Sequence, residues 1–424
     1  RPAPWHMEVW VARRRVVITG LGVVAPNGIG KETFWQNLIA GKSAVDYVRA
    51  FDASAYPCKV AAEVQNFNPQ EFMLARRTKH RGRFAQFAVA ATKLALQDAK
   101  LDASASRSHR LKLCVGTAAN GVGDVYEGAR LGFERSGVRG IPLTTGVEYA
   151  SHAAASHVSM ELGLRGQALT LASACSTGLD AVHWGWHQII DRQADVVLAG
   201  ATDAPVSPLC FATFCASGTL SRFEDPWLSA SRPYDRRRDG IVLGEGAGIF
   251  VLESLESALE RDAMIYAELL GFGTGNEGGY GVKTDAGEHA LADAIEAALD
   301  EASLGVNEID HINAHGNALP DYDLVETRAF KNAFGRRIYN VPISSIKSMI
   351  GHAMGAASAL QVAAACLTLQ HSVVPPTINL DDADPECDLD YVPKHARVAR
   401  LKNVLINAHA MGGTHSVLIL GHLR

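Results

Sequence analysis

The chain has no CxxC pair, no even set of cysteines, no long apolar run and no excess of either charge, and each absence removes a class of protein. Its seven cysteines, at 58, 114, 175, 210, 215, 366 and 387, are scattered and odd in number. That usage fits a reduced, cytoplasmic protein and speaks against a disulfide scaffold. No window approaches the roughly 20 uninterrupted apolar residues of a membrane span. Charged residues make up 20% of the chain and the formal net charge is −5, which leaves no electrostatic footprint for nucleic acid. The basic runs at 13–15, 75–83 and 235–240 are short and balanced by acids. The glycine-rich stretches "GLGVVAPNG" and "GFGTGNEGG" do not complete a G-x-G-x-x-G with an acidic residue on a following strand, so no dinucleotide site is read. The opening "RPAPWHM" reads as an appended leader with the native start at Met7, and no signal peptide follows.

What is present is a chain of 424 residues, 47% of them hydrophobic, in which strand-like and helix-like runs alternate. "RVVITGLGV" (15–23), "KLCVGTA" (112–118), "ALTLASA" (168–174) and "ADVVLAGA" (194–201) are followed by a second set: "GIFVLES", "IYAELLGFG", "IDHINAHG", "PISSIK", "NVLINAHA" and "HSVLILG". The alternation predicts an α/β fold with buried, mostly parallel strands. No Pro/Ser-rich linker divides the sets. Two intimately packed halves are expected, 7–265 and 266–424.

The chemistry is concentrated where strands turn into helices. In "TLASACSTGLDAVHWGWHQIIDR" (170–192), a small apolar strand ends at Ala174, and Leu179, Val182, Trp186, Ile189 and Ile190 then recur at helical spacing. Cys175 is therefore placed at a helix N-terminus, where unpaired amides and the helix dipole favour thiolate over thiol. The alternative is an inert core cysteine. "HINAHGNALPDYDLVETRAFKNAF" delivers His315 at the end of a strand, where active sites of α/β folds collect, and starts a helix near Asp323. Asp323 and Glu326 have the spacing of a capping box, and that reading stands beside a functional one. "PISSIKSMIGHAMGAASALQVAAA" repeats the design with Lys347 and His352, which otherwise read as a solvated loop lysine and a helix-start residue. His311/His315 and His183/His187 have i,i+4 spacing, but the first pair lies on a strand and the second joins the polar stripe of the Cys175 helix, so no metal site is read.

With these residues in hand, the chain resembles the β-ketoacyl-acyl carrier protein synthases, the elongating condensing enzymes of fatty acid and type II polyketide synthesis. The resemblance runs over essentially all of residues 14–424, through "RRVVITGLGVVAPNG", "ACSTGLDAV", "SRPYDRRRDGIVLGEGAGIFVLE", "HGNALPDYDLVET", "SSIKSMIGHAMGAASALQ" and "MGGTHSVLIL". It implies a thiolase fold, two similar halves in five α-β-α-β-α layers, normally dimeric. It implies that Cys175 takes the acyl chain, that His315 and His352 bind the malonyl thioester carbonyl and promote decarboxylation, and that Lys347 pairs with Glu326 beside Asp323. An oxyanion hole is implied from the amides of Cys175 and Met411, and Gly412 and Gly413 of the same loop are expected to bind substrate. No metal or organic cofactor is implied, because phosphopantetheine arrives on an acyl carrier protein. Arg76, Arg77 and Lys79 are expected to dock that acidic partner.

The sequence also departs from the family pattern. Asn317 and Leu319 stand where Thr-x-Thr usually holds the pantetheine, so Asn317 is expected to bind substrate and pantetheine recognition to be altered. His409-Ala410-Met411-Gly412-Gly413-Thr414-His415 replaces the usual Phe-Gly-Phe-Gly-Gly-Thr-Asn. His409 thus stands at a phenylalanine gate, with an imidazole able to hydrogen-bond a polar or conjugated chain. These changes favour a polyketide or polyene ketosynthase over a housekeeping fatty acid enzyme. The dimer would be a homodimer or a pair with a ketosynthase-like chain length factor that lacks the cysteine. A non-catalytic partner subunit would not need Cys175, His315, His352 and Lys347 together, and a thiolase would need a second cysteine in 409–415, which has none.

Overall fold

The computed structural model describes residues 13–78, 81–102, 110–223, 226–278 and 287–423. In the first half the strands β1 (Val16–Ala25), β2 (Leu111–Gly116), β3 (Ala168–Leu169), β4 (Val196–Asp203) and β5 (Gly246–Ser254) pair in the order β3-β2-β4-β5-β1. In the second, β6 (Ala267–Asn276), β7 (His311–Asn313), β8 (Ile343–Ser344), β9 (Asn403–His409) and β10 (Thr414–Gly421) pair as β8-β7-β9-β10-β6. The two orders are the same once β6 is set against β1. Val17↔Glu268 and Ile18↔Ala267 join β1 to β6, so the halves share one continuous sheet.

The expectation of mostly parallel strands needs correction: each half is mixed. β2 runs parallel to β3 and β4, and β7 to β8 and β9, whereas β5 and β10 run antiparallel to both their neighbours. The short turn between β9 and β10 can only join antiparallel strands, since a parallel pair needs a long crossover.

Helices α1 (Arg83–Asp98) and α2 (Ala153–Leu162) cover the outer face of the first half, and α4 (Gly287–Ala302) and α5 (Pro320–Phe334) cover that of the second. Between them lie α3 (Thr177–Ile190) and α6 (Gly355–His371), which touch each other, and α6 packs on strands of both halves. The result is five layers. Every residue of α6 from Gly355 to Leu369 is buried, as expected of a helix with apolar or small residues all round. The two central helices approach closely at Gly178, where a Cβ would lie 2.3 Å from the Ala359 nitrogen; there the Gly178 amide donates to Ser358 Oγ at 2.9 Å. That contact sets the N-terminus of the Cys175 helix against the N-terminus of the second central helix.

Candidate active site

The strand read over 168–174 stops at Leu169, because the ladder with β2 ends there. Thr170–Ser173 cross toward the centre outside the ladder, held by the Thr117 amide donating to the Leu171 carbonyl at 3.1 Å, and Ala174–Ser176 form a single tight turn before α3. Ala174 sits at φ +49°, a conformation a side chain strains to adopt, and the turn thrusts Cys175 inward, 3% exposed. Strain of this kind is kept where surrounding packing enforces it. The amides of Met411 and of Cys175 itself lie close enough to the Cys175 sulfur to favour its anion.

The electrostatic expectation at Cys175 is reversed. Burial pushes the thiol up to about 11, and the Lys347 charge and the Met411 amide only partly offset it. At neutral pH the group rests as a thiol. Desolvation of the anion outweighs the helix terminus here because α3 begins inside the protein, not at its surface.

His315 follows β7 and His352 follows the short helix Lys347–Ile350, with ring centroids 5.2 Å apart. Both are 2% exposed, and burial holds both imidazoles neutral, with Lys347 acting in the same direction. The backbone of His315 is clamped from two sides. Its N–H donates to Glu326 Oε1 at 2.8 Å, and its carbonyl accepts from Lys347 Nζ at 2.6 Å.

That clamp corrects the direct pairing expected between Lys347 and Glu326. Lys347 Nζ donates to the His315 carbonyl and to Gln361 Oε1 at 3.1 Å, while Glu326 accepts from the His315 and Gly316 amides, from Tyr234 Oη at 2.6 Å and from Asn407 Nδ2 at 2.6 Å. Burial lowers Lys347 to about 8, opposed by the nearby Glu326 charge. The capping-box reading falls as well. Helix α5 starts at Pro320, with Leu319 as its first flanking residue, so Asp323 lies inside it. Asp323 Oδ1 accepts from the Asn317 and Ala318 amides, Oδ2 accepts from the Tyr234 amide, and Arg238 lies 3.5 Å away.

Asn317, expected to bind substrate, is turned inward. Its Oδ1 accepts from the Leu319 amide at 3.0 Å, which fixes the amide's orientation and directs Nδ2 at His315 Nε2, 3.2 Å away. Two donors cannot face each other, so His315 carries its proton on Nδ1 in this arrangement. His409 also departs from expectation: its Nε2 lies 3.0 Å from Glu277 Oε1, its ring stacks on Tyr322, and it is 1% exposed, so it is engaged with protein before any chain arrives. The Gly412–Gly413 turn, at φ +98° and +80°, carries the chain from Met411 back into β10. An apolar wall of Phe211, Val206, Met354, Ala410 and Leu319 packs around Cys175.

The basic run lies elsewhere on the surface. Arg76 is exposed and Arg77 is half-buried, its Nη1 donating to Glu161 at 2.7 Å; Lys79 lies outside the described residues. Sequence reasoning missed Tyr234, Gln361, Asn407 and Glu277. Gln361 bridges Lys347 to the Asn313, Ala314 and Asn407 carbonyls, and Asp203, also missed, accepts from the Ala118, Ala119 and Gly355 amides to seat the start of α6. Tyr234 and Gln361 lie inside the stretches that carry the family resemblance, but nothing local marks any of the five as part of the site. Only the strand order brings them together.

Comparison with known proteins agrees with this arrangement. Residues 13–258 match the N-terminal domain and 266–381 the C-terminal domain of the β-ketoacyl synthases. The tetracenomycin polyketide synthase ketoacyl synthase alpha subunit of Streptomyces glaucescens is 41% identical, over 96% of this chain and 97% of its own. The 3-oxoacyl-[acyl-carrier-protein] synthase 2 of Coxiella burnetii is 36% identical, over 97% and 99%. Among solved structures, the ishigamide ketosynthase/chain length factor superposes with a TM-score of 0.91 at 35% identity, covering 97% of this chain and 100% of that one. A type II polyketide synthase acyl-carrier protein in complex with its ketosynthase bound to the hexaketide gives 0.89 at 33%, with the same coverage. No helix among the described residues is long and apolar enough to cross a membrane. Sequence, fold and site converge: the chain belongs to the β-ketoacyl synthase family of thiolase-fold condensing enzymes.

Proposed function

We propose that this chain is the catalytic ketosynthase of a type II polyketide pathway, extending an acyl chain by decarboxylative condensation with a malonyl unit. The observation that carries the reading is Cys175 on its strained turn, sharing the nearby Lys347 charge with two neutral imidazoles that stand 5.2 Å apart. In the first step the Cys175 sulfur attacks the acyl thioester, the sulfur–carbonyl bond to the carrier's phosphopantetheine breaks, and the pantetheine thiol leaves with the proton from Cys175. The amides of Cys175 and Met411 stabilise the oxyanion. In the second, His315 and His352 donate to the malonyl thioester oxygen while carbon dioxide departs. The resulting enolate carbon attacks the Cys175 thioester, releasing the thiolate and leaving the β-ketoacyl chain on the carrier. Neutral imidazoles suit this step, because they donate without competing for the departing carboxylate.

The chain carries its chemistry in both parts of a division at 265 and 266, Cys175 in the first and the histidines with Lys347 in the second. Neither step calls for a metal or an organic cofactor. The expected partners are an acidic acyl carrier protein, met by Arg76 and Arg77, and a second ketosynthase-like chain, because the solved structures this chain resembles include a ketosynthase/chain length factor. A fatty acid role is the second reading, supported by the Coxiella relative. The departures at Asn317, Leu319 and His409 favour the polyketide role.

The test is purification from the native host, followed by loading with carrier proteins charged with matched saturated and polyunsaturated chains. Co-purification of a homologous chain lacking the cysteine, with faster loading of the unsaturated chain, supports the proposal. A homodimer that prefers the saturated chain supports the fatty acid role.

A further inference from the structure

Outside the reacting groups, a cluster of Glu277, His409 and His415 is set up by strand register. His409 and His415 are directly opposite one another across the β9–β10 pair, and side chains so placed share a face of the sheet. Their ring centroids are 4.2 Å apart. On the other side of β10, Gly275 of β6 pairs with His415, and Glu277 follows two residues later, its amide donating to the Gly413 carbonyl at 2.9 Å. Three neighbouring strand ends therefore deliver three side chains to one point. Both imidazoles turn Nε2 to the same atom, Glu277 Oε1, at 3.0 Å each, and the side chains are 1%, 0% and 2% exposed.

From this geometry we infer that Glu277, His409 and His415 form a site for a divalent transition-metal ion of the zinc type, beside the reaction chamber and outside its chemistry. The ligand atoms all lie within 4.8 Å of one another. Metal–ligand bonds of about 2.0–2.2 Å would need them only slightly spread from their present contacts, with a fourth position left open. Two imidazoles exclude magnesium and calcium, which take oxygen ligands, and select zinc, copper or nickel. The second shell is thin. Among the described residues Nδ1 of each histidine is buried without a partner, and missing outer-shell partners typically cost about 10–100-fold in affinity, so the ion exchanges and is not permanently resident.

Occupancy would act on access to Cys175. His409 and His415 flank the turn that carries Met411, whose amide reaches the Cys175 sulfur, and the His409 ring lies 6.1 Å from that of His315. An ion joining the two histidines fixes both ends of that turn. The metal therefore slows acylation and is not needed for condensation.

The experiment titrates Co2+ into full-length Cys175→Ala protein, which removes the reactive thiol as a competing ligand. One ion per chain by equilibrium dialysis is expected, with the visible bands of a four-coordinate N/O site, displaced by Zn2+, and a metal-dependent rise in the unfolding midpoint. Glu277→Gln and His409→Phe should each stay folded but lose the ion and the metal-dependent rise in midpoint, and His289→Ala, at an exposed histidine, should keep both. In protein with Cys175 intact, Zn2+ should slow acyl loading, and Glu277→Gln should abolish that sensitivity. Absence of saturable binding, or equal binding by all the variants, overturns the inference. A cobalt spectrum lost on His289→Ala would do the same by assigning the ion to the surface.

Discussion

Replacing Glu326 by glutamine tests how His315 is held. The carboxylate accepts four hydrogen bonds: Oε1 from the His315 amide and Asn407 Nδ2, and Oε2 from the Gly316 amide and Tyr234 Oη. An amide of the same shape keeps one oxygen and presents an NH2 at the other position. Facing Tyr234, the NH2 can be accepted by the rotated hydroxyl; facing Asn407, it can be accepted by that residue's Oδ1, which is buried with no partner among the described residues. Either way one backbone N–H, of His315 or Gly316, loses its acceptor and has no means of turning away. An orphaned buried donor costs about 1–3 kcal/mol, and the surviving bonds lose their charge assistance. The expected loss in stability is therefore about 2–4 kcal/mol, read as a shift in denaturant midpoint. The loop would relax around His315, and a misplacement of about 1 Å can cost roughly 100-fold, so malonyl decarboxylation should fall by that order. In the proposed sequence of steps acyl loading of Cys175 does not use His315, so it should change much less. A Glu326→Gln protein with unaltered midpoint and normal carbon dioxide release would refute the clamp.

Further expectations follow from the same geometry. Because burial raises the Cys175 thiol to about 11, its thiolate fraction should grow with pH across the neutral range, and alkylation by iodoacetamide should accelerate from pH 7 to 9; a plateau below pH 8 would show a stabilised thiolate instead. Lys347→Met should slow that alkylation further, since it removes the charge that lowers the thiol. Site-labelled nitrogen NMR should find His315 protonated on Nδ1 in the resting enzyme, and Asn317→Asp, which places an acceptor at Nε2, should move the proton there; an Nε2–H form in the wild type would contradict the assigned network. Arg76→Glu should raise the KM for carrier-bound substrate and leave that for a free pantetheine thioester unchanged, whereas equal kinetics at low salt would make the residue an ordinary solvated arginine.

Much of this was legible along the chain because the motifs are local. The turn at Cys175 announces itself by a change of period, and His315 stands just past a strand end and His352 one short helix beyond another, on the side that any α/β fold turns toward common ground. The alternation of elements gives the fold class and the two halves. What was not legible depends on burial and register. The helix N-terminus at Cys175 suggests a thiolate, but its depth reverses the direction. Lys347 and Glu326 look like a pair on charge alone, yet the backbone of His315 fits between them. Asn317 cannot be assigned from its own residue type, because the Leu319 amide decides which end of its side chain faces the histidine. The Glu277–His409–His415 cluster spans 138 residues and exists only because β6, β10 and β9 are neighbours.

The central claim is that Cys175 holds the growing chain while the two histidines generate the nucleophile that takes it. The direct measurement is a single turnover: enzyme charged from an acyl carrier protein, freed of donor, then mixed with malonyl carrier protein. Intact mass should show one acyl group per chain in the wild type and none in Cys175→Ala. On mixing, the acyl mass should disappear in step with carbon dioxide release and with the appearance of an equal amount of β-ketoacyl carrier protein. An acyl group retained by Cys175→Ala, or carbon dioxide released from the charged enzyme without transfer of its acyl group, would contradict the account.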